Sequence, residues 1–456
     1  MASEEIVAIG TIFMIVLMMV YLLFHVVIEK KRWMFGHESG IVLILGMAVS
    51  YIYYSADGDE FTKFVEFDDN IFFYFCLPPI LFAAGYNMRR DTFFKNIGYA
   101  ILFGVIGALI AFFIFTGISY LVLYKSGYVF YEYSNKTGEY SETSITVVEL
   151  LLLCALLCSS DVIAAVSVVR YEEVPDLFSI IFGEGVINDA ISIILFQTVV
   201  KFSMSEGTEL NVAGSFEIIG FFIYLCASSL GVGILSGIFS AFFTKNFRVF
   251  MGSPITETAL LLLMGYLSYL IAELLELSGI LTLLTCAVFM ATYTWYNFSM
   301  QGKLVTATTL DVIAHVVEAF VFCYLGLTFF SYANLRWSTS LFITFTLIVI
   351  IGRFTATVGM GLLFKLCFKK FTLTWKELVF ITWGGMIRGA IPFGLVLRLD
   401  KSLPHRGLII TTTLSLVATT TIFFGFTMAF MERLLISGFN KKSPLHQDDD
   451  ESYHLS

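Results

Sequence analysis

Residues 177–200 read LFSIIFGEGVINDAISIILFQTVV, and this stretch decides the class of protein. It is long enough to cross a bilayer core of about 30 Å as one helix of about 20 residues. Glu184 and Asp189 nevertheless lie near its middle. A charge at the bilayer centre costs about 2.5–3.5 kcal/mol on insertion scales, so charges there need a partner or a function. The stretch therefore indicates a membrane helix that carries a functional site.

The residues around Asp189 suggest what such a site binds. On a helix, Glu184 and Asn188 share one face, while Gly185 and Asp189 share the next. A carboxylate beside an amide, with a bare glycine one turn away, leaves room for a small ion and water. Hard cations take oxygen ligands, and a carboxylate holds either a cation or a proton. Competition for one carboxylate is the simplest exchange mechanism; the alternative is a neutral Asp189 hydrogen-bonded to a neighbouring helix.

Apolar runs of similar length recur along the whole chain. Of the 456 residues, 58% are hydrophobic and 14% are charged, whereas soluble proteins carry about 25% charged residues. Thirteen runs are candidate spans: 6–28, 40–54, 70–86, 97–124, 147–169, 177–200, 216–243, 255–275, 280–295, 310–330, 341–366, 378–399 and 408–431. We therefore expect an all-α polytopic membrane protein, with a transmembrane domain at 1–432 and a short cytosolic tail at 433–456.

Composition and motifs also exclude several functions. A net charge of −9 without a basic patch argues against nucleic-acid binding. The sequence has no Gly-rich Walker-type phosphate loop, so we expect no ATP-driven pumping and no cofactor. The 7 cysteines lie in or beside apolar runs, which predicts buried thiols rather than a disulfide framework.

Lysine and arginine set the expected orientation. Most of them lie in loops that follow odd-numbered runs, which predicts an outer or lumenal N-terminus and a cytosolic C-terminus. The sequon at Asn135 then lies outside, and the sequon at Asn297 lies in the cytosol. We therefore expect a glycoprotein with sugar on Asn135 only, and sugar on Asn297 would overturn this topology.

Thirteen runs divide into six, one and six, and an odd linker inverts the second half relative to the first. Inverted repeats of this kind are common in secondary transporters, although any chain of thirteen spans divides this way. Seven charges lie inside the runs: Asp161, Glu184, Asp189, Glu273, Glu318, Arg353 and Arg388. Five of them belong to the fifth, sixth, eleventh and twelfth runs, which the repeat would bring together. This favours one central site over scattered ion pairs.

The twelfth run contains the sequence WGGMIRGAIP at 383–392, in which three glycines and Pro392 surround Arg388. Glycine and proline weaken a helix, and transporters build ion sites from broken helix ends and unwound carbonyls. Arg388 would offset the negative end of such a broken helix. A glycine-rich packing face explains the glycines but not the arginine.

These motifs resemble those of the sodium/proton exchanger family of cation/proton antiporters, closest to its endomembrane branch. The resemblance covers nearly all of the chain from the third run onward. The matching segments are Leu77-Pro78-Pro79-Ile80, Ala84-Gly85-Tyr86, Ser160-Asp161, Gly183-Glu184, Asn188-Asp189, Tyr269, Ala272-Glu273, Leu277-Ser278-Gly279-Ile280, Tyr293-Thr294-Trp295, Glu318, Leu325-Gly326-Leu327, Gly352-Arg353, Arg388-Gly389-Ala390-Ile391-Pro392 and Thr411-Thr412-Thr413.

The resemblance implies the antiporter fold, with two six-helix inverted repeats and crossed discontinuous helices. It implies a homodimer in the lipid of the Golgi, endosome or plasma membrane. Scaffold and dimer helices would lie at about 6–86 and 255–330, and a mobile elevator core at about 97–200 and 341–431.

It also implies site roles. Asp189 would bind the transported Na⁺, K⁺ or proton, with Asn188, Asp161 and Ser160 nearby. Glu184 would pair with Arg353 and brace the core, a bracing role that Arg388 shares. Gly185, Glu273 and Glu318 are accessory candidates.

Three residues depart from the family pattern. Gly185 replaces a usual serine, Val162 a usual proline and Met386 a usual glycine. Gly185 removes one side-chain ligand, so the choice between Na⁺ and K⁺ stays open. Val162 leaves the fifth run without an obvious helix breaker.

Charge balance predicts the stoichiometry. If Glu184 offsets Arg353 and Asp161 offsets Arg388, only Asp189 remains to carry one cation or one proton. We expect electroneutral one-for-one exchange, because an arginine does not deprotonate in proteins as a lysine can. Two rival functions are a cation channel, which needs a continuous polar pore, and a non-transporting relative that acts as a sensor or scaffold.

Overall fold

The structure is a computed structural model that describes residues 2–31, 36–56, 69–125, 130–134, 139–204, 212–247, 252–332, 335–367 and 373–437. It is dominated by helices, because a backbone in lipid must satisfy its own hydrogen bonds. The α-helices are α1 (Ala2–Lys31), α2 (Glu38–Ala56), α3 (Asp69–Ile71), α4 (Leu77–Asn87), α5 (Arg90–Lys95), α6 (Ile97–Ile101), α7 (Gly107–Tyr120), α8 (Val147–Leu156), α9 (Ile163–Val168), α10 (Pro175–Met204), α11 (Val212–Asn246), α12 (Pro254–Leu274), α13 (Gly279–Thr292), α14 (Met300–Thr328), α15 (Thr339–Cys367), α16 (Trp375–Gly384), α17 (Ala390–Leu397) and α18 (Arg406–Glu432).

Shorter helical turns continue several of these helices. The π-helical turns are Phe72–Cys76, Leu102–Ile106, Leu121–Lys125 and Arg433–Ser437, and the 3-10 turns are Thr294–Asn297 and Phe329–Tyr332. Two strands, β1 (Phe130–Ser134) and β2 (Glu139–Thr143), pair antiparallel as a hairpin. Residues 438–456, most of the expected tail, lie outside the described residues, and so does Asn135.

Every apolar run expected to span the membrane overlaps helical structure. Within the described residues, 8 helical stretches are long and apolar enough to cross a bilayer. Shorter apolar helices, such as α8 and α13, belong to the other runs. The chain is therefore a multi-pass integral membrane protein of the expected all-α class.

The double proline of the third run produces a local irregularity. Pro78 and Pro79 have no backbone N–H to donate to the preceding turn, and the turn Phe72–Cys76 is π-helical. Two tyrosine hydroxyls of α12 satisfy carbonyls in that turn: Tyr266 Oη donates to Tyr74 and Tyr269 Oη to Phe73, each over 2.9 Å. Side chains from another helix thus replace the hydrogen bonds that the prolines remove.

Two spans are interrupted rather than continuous. The fifth run forms α8 and α9, separated at 157–162, and the twelfth forms α16 and α17, separated at 385–389. Each is the fifth run of its half, as an inverted repeat requires. Both N-terminal half-helices begin with the same capping box, Thr146 with Glu149 and Thr374 with Glu377. In that motif the threonine and glutamate side chains satisfy backbone N–H groups at the helix start.

The helices pack around these interruptions. Helix α10 packs against α8, and α15 packs against α7. On the other side, α14 packs against α2 and α4, while α13 packs against α4, α11 and α12. The β-hairpin joins the start of α15 through a bridge between Tyr133 and Trp337.

Candidate ion-binding site

The two interruptions cross each other at the centre of the fold. The backbone N–H of Asp161, in the break after α8, donates to the carbonyl of Ile387 in the break before α17, over 2.8 Å. Gly389 permits this approach, because a Cβ at that position would overlap the side chain of Asp161. The unwound segments are therefore held together by backbone pairing and by a position that only glycine fits.

Arg388 and Asn188 satisfy the carbonyls that the break leaves open. Arg388 Nη1 donates to the carbonyl of Ser159 over 2.6 Å and of Cys158 over 3.4 Å. Asn188 Nδ2 donates to the same Cys158 carbonyl over 3.3 Å. A helix C-terminus carries a partial negative charge, so the guanidinium offsets it. These hydrogen bonds explain how the fifth span can be interrupted at 157–162 although Val162 stands where a proline is usual.

Threonines of α18 fix the backbone of Arg388. Its N–H donates to Thr420 Oγ1 over 3.3 Å, and its carbonyl accepts from Thr421 Oγ1 over 2.6 Å. Sequence reasoning missed both threonines, although the run Thr419-Thr420-Thr421 is an unusual polar patch inside an apolar segment.

Asp189 lies directly beside the crossing. Ser159 Oγ donates to Asp189 Oδ1 over 2.8 Å. The neighbouring Asn188 donates to Ser160 Oγ over 2.5 Å and accepts from Ser192 Oγ over 3.3 Å on its Oδ1. The structure thus brings together Asp189, Asn188 and Ser160, as expected. It adds Ser159, whose only sequence signal is its position before Ser160 and Asp161.

Glu184 and Arg353 form a buried ion pair next to the site. Both side chains are 1% exposed, and Arg353 Nη2 donates to Glu184 Oε1. Arg353 also donates to Ser160 Oγ over 3.5 Å. Gly385 leaves space for the guanidinium, since a Cβ there would lie 2.5 Å from its Nη2. The pair therefore links α10, α15 and both interrupted spans.

A cavity of about 1140 Å³ reaches this cluster from one side. Its lining includes Asp161, Gly185 and Asp189, and also Arg89 and Arg170. The two arginines belong to loops predicted to be cytosolic. Asp161 and Asp189 are accordingly only partly buried. The carboxylates can be reached by water and ions from the predicted cytosolic side.

A second and much smaller cavity also adjoins the cluster. It has a volume of about 60 Å³, and besides Asp161 and Asp189 its walls include Phe72, Leu77 and Ile391. Phe72 lies near the start of the run 70–86, which is predicted to enter from the outer side. Apolar side chains therefore line this cavity towards the predicted outer face.

The two accessory glutamates occupy different places. Glu318, on α14, lines both cavities together with Asp161 and Asp189. Glu273, on α12, lies beside Gly279 at the start of α13, where a Cβ would be 2.7 Å from its Oε1. The structure therefore brings Glu318 to the site, but places Glu273 away from the linings described for these two cavities.

Taken together, the cluster can hold a hard cation. Two carboxylates and two serine hydroxyls supply the oxygen atoms that such ions prefer. Their partial exposure to the larger cavity also allows a proton to reach the same carboxylates. The arrangement suits reversible binding of a cation or a proton rather than a permanent metal site, and no cluster of three or more His, Cys, Asp or Glu ligands occurs among the described residues.

Comparisons with known proteins agree with this geometry. The family model described as "Sodium/hydrogen exchanger, transmembrane" matches residues 7–433. "Sodium/hydrogen exchanger 1" of Oryza sativa is 30% identical over 423 residues, covering 90% of this chain and 76% of that protein. The human "Sodium/hydrogen exchanger 9" is 30% identical over 370 residues, covering 81% of this chain and 56% of its own length.

The fold is also similar to a solved structure. The sodium proton antiporter MjNhaP1 of Methanocaldococcus jannaschii superposes with a TM-score of 0.64 at 15% sequence identity. The superposition covers 94% of this chain and 96% of that one. At this identity the likeness shows the fold.

Proposed function

Because this chain belongs to the sodium/hydrogen exchanger family, we propose that it exchanges a monovalent cation, Na⁺ or K⁺, for a proton at Asp189. The observation that carries the proposal is the position of the Asp189 carboxylate. It lies at the crossing of two broken spans, accepts a hydrogen bond from Ser159, and lines the larger cavity.

The proposed mechanism is competition for one carboxylate. Ionised Asp189 binds the cation, with Ser159 Oγ and the Asp161 carboxylate as nearby oxygen atoms. A proton on Asp189 removes the charge and releases the cation. Asn188 holds the break in place through Ser160 and Cys158, so the ligands keep their positions in both states.

The charges of the cluster support electroneutral exchange. Asp161, Glu184 and Asp189 carry three negative charges, and Arg353 and Arg388 carry two positive ones. The cluster is therefore neutral whenever Asp189 holds either one cation or one proton. Because both bases are arginines, they keep their charge throughout the cycle.

The two cavities support alternating access. Both reach Asp161 and Asp189, and the one that residues of the predicted cytosolic loops line is much the larger. We propose that the core helices at about 97–200 and 341–431 move as an elevator against the scaffold at about 6–86 and 255–330.

Polar contacts join these two groups at their boundary. Gly36 N–H donates to the carbonyl of Phe426 over 3.1 Å, and His37 Nε2 lies 3.2 Å from Ser167 Oγ, both on the predicted cytosolic side. Elsewhere Arg398 forms an ion pair with Asp69 over 3.4 Å. We expect these contacts to break when the core moves.

We further propose a homodimer in an endomembrane or the plasma membrane, with a cytosolic C-terminus and sugar on Asn135. We expect no sugar on Asn297, whose side chain is held within the protein. Its Nδ2 donates to Thr244 Oγ1 and to the carbonyl of Ala241, each over 2.9 Å. The nitrogen that a glycan would occupy is therefore engaged within the protein.

The decisive experiment uses purified protein in vesicles with an internal pH dye. After a proton gradient is imposed, addition of Na⁺, K⁺ or Li⁺ should collapse it in the wild type. The collapse should be lost in Asp189→Asn, which keeps the shape of the side chain but not its charge. Asp176→Asn is the matched control, because Asp176 lies on the same helix but is exposed.

Each other outcome has a definite meaning. Exchange retained in Asp189→Asn would disprove the assignment of Asp189. Gradient collapse without any added exchangeable cation, or continuous current, would indicate a channel. Folded dimeric wild-type protein that responds to no cation would instead favour the sensor or scaffold function.

A further inference from the structure

Two of the residues that depart from the family pattern contact each other. Gly185, on α10, and Val162, in the break before α9, are both buried. A Cβ at Gly185 would overlap Val162 Cγ2 and would lie 3.0 Å from Val162 Cβ. The valine side chain therefore occupies the volume that any side chain at position 185 would need.

This contact lies at the cation site. Gly185 is one helical turn before Asp189, and residues four apart share a helix face. Val162 directly follows Asp161, and the cavity that reaches both aspartates is lined by Val162 and Gly185 as well. The valine methyl groups thus form a wall beside the carboxylates where a side chain at 185 would otherwise stand.

The wall has a chemical consequence for a bound ion. Hydrocarbon excludes water but offers no oxygen ligand in exchange. An ion at Asp189 is therefore stripped of water on the Val162 side, while the oxygen atoms of Ser159, Asp161 and Asp189 replace its hydration elsewhere. Protein oxygens must replace the hydration shell if a site is to bind an ion without penalty. The hydration free energy that is lost without replacement is smaller for K⁺ than for Na⁺, because the larger ion binds water less strongly.

We propose that the contact between Val162 and Gly185 determines cation preference, by denying Na⁺ an oxygen ligand and so making K⁺ at least as good a substrate. This inference rests on the proposed function at Asp189 and names the residues that select its cation. The carboxylates supply the affinity for a cation, whereas the contact between Val162 and Gly185 sets the preference between the two ions.

Four variants test the proposal: Gly185→Ser, Val162→Ala, Val162→Ala/Gly185→Ser and Val162→Ala/Gly185→Ala. The last two place a side chain of almost the same size at 185, with and without a hydroxyl. Binding is measured on purified protein as the rise in apparent Tm with NaCl or KCl, against choline chloride. Such stabilisation depends on ligand affinity and requires no transport.

Packing predicts the first result. Gly185→Ser alone should lower the apparent Tm by about 1–3 °C, because the new Cβ overlaps Val162. Both double variants should recover most of that loss. If Gly185→Ser melts at the wild-type temperature, the contact is not as close as proposed and the inference fails.

Selectivity predicts the second result. Only Val162→Ala/Gly185→Ser should shift the Na⁺ over K⁺ preference towards Na⁺, by about tenfold, the value of one polar contact to a charge. Val162→Ala/Gly185→Ala, which keeps a hydrocarbon wall at this place, should keep the wild-type ratio. Equal ratios in the serine and alanine double variants would overturn the proposal.

The vesicle assay separates this inference from the proposed function. If the ratio of binding constants shifts but no variant exchanges protons, the exchange function is wrong and the selectivity pair stands. If exchange occurs with an unshifted ratio, the function stands and the selectivity pair is wrong.

Discussion

Replacing Glu184 by glutamine removes one charge from a buried ion pair while keeping the size of the side chain. Glu184 and Arg353 are each 1% exposed, so neither can turn to water when its partner is lost. Breaking such a pair costs about 3–5 kcal/mol, because the remaining charge stays buried without compensation. We expect a cost of about 3 kcal/mol, the lower end of this range, because the glutamine amide oxygen can still accept a hydrogen bond from Arg353.

That loss of unfolding free energy corresponds to a measurable fall in Tm. An unfolding entropy of about 2.1 cal/mol/K per residue over 456 residues gives about 1 kcal/mol per degree. Glu184→Gln should therefore lower the apparent Tm of the purified protein by about 3 °C. The measurement is a thermal-shift assay in detergent at neutral pH.

Two controls isolate the cause. Glu173→Gln removes a carboxylate from a surface ion pair, in which the Glu173 side chain is 40% exposed and the Arg170 side chain is 49% exposed. This change should leave the apparent Tm unchanged. Glu184→Gln/Arg353→Gln replaces the pair by two neutral amides and should recover most of the loss. Glu184→Gln protein that melts at the wild-type temperature would refute the bracing role of the pair.

Three further outcomes are expected. Ser159→Ala removes the donor to Asp189 and should raise the apparent KM for the cation about tenfold in vesicles; an unchanged KM would exclude Ser159 from the site. Gly389→Ala should cost about 1–3 kcal/mol or more by overlap with Asp161, whereas Gly98→Ala, which meets nothing within 4 Å, should leave the apparent Tm and the exchange rate unchanged. Exchange in voltage-clamped membranes should carry no current, and a current would contradict one-for-one exchange.

The sequence predicted the break of the twelfth span but not the cause of the break in the fifth. Three glycines and Pro392 mark the twelfth span as weak. Val162 gives no local signal of a break in the fifth span. The free carbonyls of that break are instead satisfied by other parts of the chain, the guanidinium of Arg388 and the amide of Asn188. A helix broken by tertiary hydrogen bonds leaves little local signal.

Charge balance from sequence considers only charged side chains and cannot determine their contacts. That Asp161 offsets Arg388 stays a prediction, and the structure adds that Arg388 donates to the carbonyls of Ser159 and Cys158. Backbone carbonyls are invisible to a count of charged side chains. Thr146-x-x-Glu149 and Thr374-x-x-Glu377, by contrast, were readable as capping boxes and would have marked both half-helices as equivalent.

Position 185 shows why site details need the fold. The sequence reveals that a ligand is missing there and that Val162 is unusual, but the two residues belong to different runs and the sequence does not show that they touch. Only the crossing of the interrupted span with α10 places the valine methyl groups against the glycine. The two departures are then one feature of the cation site.

The proposed mechanism requires one carboxylate, Asp189, to hold either the cation or the proton. The most direct test is cation-dependent exchange in vesicles, with the apparent KM and the maximal rate measured across a series of pH values on the cation-binding side. Competition predicts that the apparent KM rises in proportion to proton concentration while the maximal rate is unchanged. A maximal rate that falls with acidity at constant KM would mean that protons act at a different group, and would contradict the account.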